Sequence, residues 1–99
     1  MLVHSVFFWL KENLSEKEVE LFRNELGNLG QIPEVEKLYI GKPAPTSKRP
    51  VIDDSYDFCL TVFLENVSAH DKYQESDIHL EFIEKCSQLW ERVKIYDAE

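Results

Sequence analysis

Ninety-nine residues amount to one small domain, and a hydrophobic fraction of 43% is enough to build its core. The formal net charge of -8, from 19 acidic and 11 basic residues, argues against nucleic acid and anionic membranes as partners, since both select for Lys/Arg patches. Cys59 and Cys86 stand in apolar contexts without a short motif spacing, so they read as buried free thiols in a reducing compartment rather than as a disulfide or zinc framework. The opening Met1-Leu2-Val3-His4-Ser5 lacks the basic and long apolar regions of a secretory leader, and no apolar run approaches transmembrane length. The expected location is cytoplasmic.

Leu2 to Leu10 reads as the first strand, rich in Val, Phe and Trp and apolar on both faces, so it requires cover on both sides. Ser15 and Glu18 then form a capping box, with Leu14 and Val19 placed for a hydrophobic staple. Val19, Phe22, Leu26 and Leu29 give that helix its apolar stripe, and Gly27, Gly30 and Pro33 mark its end. Val35 to Gly41 is the second strand, with Leu38 and Ile40 on one face and Lys37 and Tyr39 on the other. Lys42 to Pro50, with three prolines and three cations, is an exposed hairpin connection.

Ser55 to Glu65 is the third strand, its Tyr56, Phe58, Leu60, Val62 and Leu64 forming one fully apolar face. A short helical turn from Asn66 to Tyr73 precedes a helix from Ile78 to Trp90, capped by Ser76 or Asp77. On that helix His79, Ile83, Cys86 and Trp90 recur on one face. Arg92 to Asp97 is the last strand, with Val93 and Ile95 on one side. The order βαββαβ is the ferredoxin-like arrangement, an α+β fold whose four-stranded antiparallel sheet carries its helices on one face. Val6, Phe8, Leu38, Ile40, Leu60, Val62, Val93 and Ile95 should meet the helices. The opposite face, with Phe7, Trp9, Tyr39, Phe63 and Tyr96 among polar residues, is too aromatic for open water and predicts a homodimer packed sheet to sheet.

His79 in the first turn of its helix faces inward, near the positive end of the helix dipole, which disfavours the imidazolium. Together with Tyr73 it forms either a mutually satisfied core pair or an acid/base pair. His4 and His79 lack a third metal ligand at a usable spacing, no haem signature surrounds any histidine, and His70 is expected to be exposed beside Asp71 and Lys72. No cofactor or metal is therefore expected.

Val3-His4-Ser5-Val6 opening a strand, the cap at Ser15, Tyr56-Asp57-Phe58 entering a strand that ends at Glu65, the spacing Tyr73, His79, Phe82, and Trp90 leading to Ile95-Tyr96-Asp97 together resemble the stress-responsive α/β-barrel (Dabb) domain proteins of the dimeric α+β barrel superfamily. The resemblance covers nearly the whole chain. Among members of known activity, the layout is similar to the plant polyketide cyclase that forms olivetolic acid without cofactor or metal. The resemblance implies catalytic roles for His79, Tyr73 and His4, and a hydrophobic pocket of Val6, Phe8, Phe22, Leu38, Leu60, Phe82, Ile83, Trp90, Val93 and Ile95. The chain departs from the family at Ser76-Asp77, where His-Pro is common, at Phe58, where the cyclase has a histidine, and at Arg23 and Leu26, which stand in place of pocket aromatics. The implied function is a cofactor-independent cyclase, isomerase or lyase acting next to a carbonyl of a small apolar, polyketide-like substrate. The alternative is a non-catalytic, stress-related small-molecule binder with the His–Tyr pair as a polar anchor.

Overall fold

The first strand, β1 (Leu2–Leu10), is apolar on both faces because it lies in the middle of the sheet. The computed structural model describes residues 1–99. After β1 come helix α1 (Glu16–Asn28), strands β2 (Lys37–Gly41) and β3 (Phe58–Leu64), helices α2 (Val67–Glu75) and α3 (Asp77–Cys86), and strand β4 (Trp90–Ala98). The four strands stand in the order β2-β3-β1-β4, all pairs antiparallel, which is the ferredoxin-like α+β topology. No helix is long and apolar enough to cross a membrane.

α1 starts where the capping box places it: Ser15 Oγ accepts from the Glu18 amide at 3.1 Å, and Glu18 Oε1 accepts from the Ser15 amide at 2.9 Å. Its Phe22 and Leu26, with Leu29 and Ile32 beyond its end, are fully buried against the strand face of Leu2, Val6, Phe8, Phe58, Leu60, Val62 and Leu64. α2 is capped by Asn66, whose side chain accepts from the Ala69 amide at 2.9 Å, and α3 by Ser76, which accepts from the Ile78 amide at 3.3 Å. Lys85 on α3 reaches Glu25 on α1 at 3.4 Å, tying the two helices at their exposed side.

Several expectations change. α3 ends at Cys86, four residues early: Ser87–Leu89 tighten into a 3₁₀ turn and Trp90 opens β4. Its buried face is His79, Phe82 and Cys86, while Ile83 is turned toward the surface. β3 begins at Phe58 rather than Ser55, because its pairing with β1 ends at Phe8 opposite Phe58. There the Asp57 carboxylate accepts from the Leu10 amide at 2.7 Å and Tyr56 sets its ring edge against Phe7. Val93 and Ile95 keep 40% and 49% of their surface, since β4 is an edge strand that the helix layer reaches only partly.

The opposite face of the sheet carries no helix. Phe7, Trp9 and Phe63 are half-buried there, and Tyr39 and Tyr96 are exposed. Cationic side chains lie over three of these rings: Lys37 over Phe63, Arg92 over Trp9 and Lys94 over Tyr96.

Candidate functional site

Strand register brings the candidate residues together. His4 on β1 is opposite Asp97 on β4, Val6 opposite Ile95 and Phe8 opposite Val93, so all six share the helix-covered face. α2 and α3 lower Tyr73 and His79 onto this face, and between helices and strands lies a cavity of ≈ 120 Å³. Its wall is made of His4, Val6, Phe8, Leu29, Leu60, Tyr73, Gln74, His79, Phe82, Ile83, Trp90, Val93 and Ile95. An apolar cavity of about 150 Å³ holds benzene, so this one has the scale of a single small ring or a short branched chain. The exposed side of Ile83, Val93 and Ile95 leaves it one open margin.

Thus the three histidine and tyrosine candidates converge, together with eight of the ten expected lining residues. Phe22 and Leu38 lie elsewhere. Phe22 fills the centre of the aromatic core, its ring 5.1 Å from Phe8 and 5.6 Å from Phe58. Leu38 sits on β2, the strand farthest from β4. Arg23 is exposed and absent from the wall, and Phe58 is buried in the core with Lys42 over its ring at 5.2 Å.

Tyr73 and His79 do not satisfy each other. Their rings meet edge to face at 5.0 Å, yet Tyr73 Oη and His79 Nδ1 are both buried without a hydrogen-bond partner. A buried polar atom left unpaired costs about 1–3 kcal/mol. Both residues line the same cavity, where buried polar atoms ordinarily have a hydrogen-bond partner. Burial drives the Tyr73 phenol well above its ordinary pKa, so it remains a donor at any physiological pH. Burial first, and then the neighbouring His4 and His70, lower the pKa of His79, so its imidazole is neutral and able to accept a proton.

His4 is only 2% exposed, and its Nδ1 lies 2.5 Å from Asp97 Oδ1. Its Nε2 points to the Gln74 carboxamide at 3.5 Å. Burial lowers the His4 pKa more strongly than the Asp97 carboxylate raises it. His70 is not exposed as expected: its side chain keeps only 19% of its surface, with its ring 5.0 Å from that of His4. The signal for this was present in the spacing. His70, Tyr73 and Gln74 follow at i, i+3 and i+4 on one helical face, and Asp97 continues the alternation of Val93 and Ile95.

The family model of the stress responsive A/B barrel domain matches residues 2–99. The chain belongs to that family. No curated protein matches it in sequence. An Arabidopsis thaliana protein is similar in structure, with TM-score 0.83 and 18% identity, covering 100% of this chain and 94% of that one. A hydroxynitrile lyase from Passiflora edulis is similar at TM-score 0.82 and 22% identity, covering 98% of this chain and 90% of the lyase. A dimeric ferredoxin-like protein of unknown function from Thermobifida fusca is similar at TM-score 0.79 and 17% identity, covering 98% and 88%. At these identities the likeness shows the Dabb fold, and the chemistry rests on this chain's own residues.

Proposed function

We propose that the cavity binds a small apolar carbonyl compound and that His79 and Tyr73 carry out proton-transfer chemistry on it, as in a cofactor-independent lyase, isomerase or cyclase. The observation that carries this reading is the pair of unpartnered buried atoms, Tyr73 Oη and His79 Nδ1, at one apolar cavity. The neutral imidazole of His79 removes a proton from the carbon next to the carbonyl, and the C–H electron pair passes into the enolate. As negative charge gathers on the carbonyl oxygen, the Tyr73 hydroxyl donates a hydrogen bond to it, in a wall too dry to screen that bond. His4, held at Nδ1 by Asp97, presents its other edge with Gln74 to orient the substrate's polar end. Return of the proton from His79 closes the cycle. A hydroxynitrile lyase shares this fold, which makes a catalytic use of it reasonable.

The cavity volume favours a substrate with one ring or a short chain over a long folded polyketide. A longer substrate would have to leave through the margin at Ile83, Val93 and Ile95. The test is a turnover screen over small aromatic and aliphatic aldehydes, ketones and their hydroxy adducts. Turnover that persists unchanged without His79 sinks the catalytic reading.

The same proposal includes a homodimer formed through the helix-free sheet face, with Phe7, Trp9, Tyr39, Phe63 and Tyr96 at its centre. The Thermobifida fusca protein of the same fold is described as dimeric. Sedimentation equilibrium should read a dimer for the native chain and a monomer for a Phe63→Asp, Tyr96→Asp double variant. A dimer that survives both changes places the interface elsewhere.

A further inference from the structure

The geometry points to a site for a divalent transition-metal ion, held by His4 Nδ1, His70 Nε2 and the Asp97 carboxylate at the outer wall of the cavity. The nearest donor atoms of these three residues, drawn from β1, α2 and β4, all lie within 4.8 Å of one another. Two imidazoles and one carboxylate are the ligand set that borderline ions such as Zn²⁺ take with an open fourth position. Ligands at about 2.0–2.2 Å from such an ion stand roughly 3.3 Å apart. His4 Nδ1 and Asp97 Oδ1 are at 2.5 Å, so the carboxylate must retreat by roughly 1 Å to admit an ion. It has room to do so: Asp97 lies on the edge strand β4 with 41% of its side chain exposed.

A second observation separates this arrangement from an ordinary His–Asp pair. His70 Nδ1 is bound by the Asp71 carboxylate at 3.2 Å, which leaves Nε2 to point at Asp97 Oδ2, 3.8 Å away and beyond hydrogen-bond reach. A carboxylate on the far nitrogen of a histidine is the usual support of a metal-bound imidazole, because it fixes the tautomer that offers its lone pair to the ion. His4 Nδ1 also faces the centre of the cluster, and an ion there requires the Gln74 carboxamide, whose nitrogen stands 3.5 Å from Nε2, to turn its oxygen toward an Nε2–H. His70 therefore has one nitrogen held from outside by a carboxylate and the other aimed, with His4 Nδ1, at Asp97. Asp97 and His70 both reach solvent, which gives an ion its way in. The ion would take the place of the proton shared by His4 and Asp97. Because His4 is also part of the cavity wall, metal would acidify the His4 N–H edge that faces the bound ligand. This inference stands independently of catalysis by His79.

The test is calorimetric titration of the untagged full chain with Zn²⁺, in excess Mg²⁺ to occupy surface carboxylates. One Zn²⁺ per chain is expected. His70→Ala and Asp97→Asn, both at partly exposed positions, should each weaken binding by at least about tenfold, while His79→Ala leaves it unchanged. Co²⁺ substitution should give visible d–d bands without a thiolate charge-transfer band, which distinguishes this site from Cys59 or Cys86. Absence of Zn²⁺ binding overturns the assignment. So does binding that His70→Ala and Asp97→Asn leave intact in folded protein, or a thiolate band with Co²⁺.

Discussion

Replacing His79 with alanine is expected to lower kcat/KM for a genuine carbonyl substrate by about 10²- to 10⁴-fold, the usual contribution of a placed general base. The melting temperature should fall only by what the lost ring packing on Tyr73 and Phe82 contributes, because the imidazole contributes no hydrogen bond to the fold and its Nδ1 is buried unpaired. A residue that served packing alone would show the reverse, with stability lost and turnover kept. The pH profile adds an independent reading. Burial lowers the pKa of His79, so the acid limb of kcat/KM should fall below the ordinary histidine value of about 6.5. The same shift has a consequence for stability. A histidine whose folded pKa is depressed binds its proton more readily in the unfolded chain, so its presence costs stability as pH falls below the unfolded value. His79→Ala should therefore flatten the acid side of the stability curve. An acid limb well above 6.5, or a steeper loss of stability in the variant, contradicts the role given to His79.

The largest stability effect is expected from Phe22→Ala, a loss of about 3–5 kcal/mol. Phe22 is fully buried, and its ring is surrounded by Phe8, Phe58, Phe82 and Trp90 at centroid distances of 5.1 to 6.3 Å. Those neighbours come from α3 and three of the four strand-borne segments that close the core, so none can move into the vacated space without disturbing another. Urea unfolding at fixed protein concentration reads the change as a lower midpoint with an unaltered slope. A loss under 1 kcal/mol would mean that the cluster collapses onto the gap, contrary to the packing described. Phe22 is a core residue, so substrate binding should weaken only as far as the fold does.

Phe22 marks how far burial could be read from the chain alone. The helix stripe through Phe22, Leu26 and Leu29 marks buried positions correctly, but burial is not proximity to the cavity, and only the packing of α1 against β1 and β3 places Phe22 in the centre. The capping box at Ser15, the alternation along β1 and β3 and the Pro-rich connection were legible because each is a local signal with its own physical cause. The end of α3 was not. Trp90 stands at helical spacing from Cys86, and nothing in that spacing reveals that Leu89 closes a 3₁₀ turn and that pairing with Leu10 draws Trp90 into the sheet. Phe82 and Ile83 are one step apart on the same helix, yet α3 is seated so that Phe82 is buried and Ile83 looks outward.

For the site, the convergence of His4, Tyr73 and His79 was foreseen, whereas the company they keep was not. His70 sits in a run of polar residues, and it is turned inward because Tyr73, three residues on, is the anchor of α2. Asp97 is a charged residue near the chain end that only the register against His4 carries onto the covered face. These two change the neighbourhood of His4 from an apolar wall to a polar cluster with its own path to solvent.

The measurement that tests the central claim most directly is the unfolding free energy of Tyr73→Phe. If the Tyr73 hydroxyl is held unpaired for a ligand, removing one oxygen relieves a buried, unsatisfied group, and the ligand-free variant should be as stable as the native chain or more stable by about 1 kcal/mol. If the hydroxyl instead serves the fold, the variant will lose about 1 kcal/mol or more, and the pair at the cavity is structural.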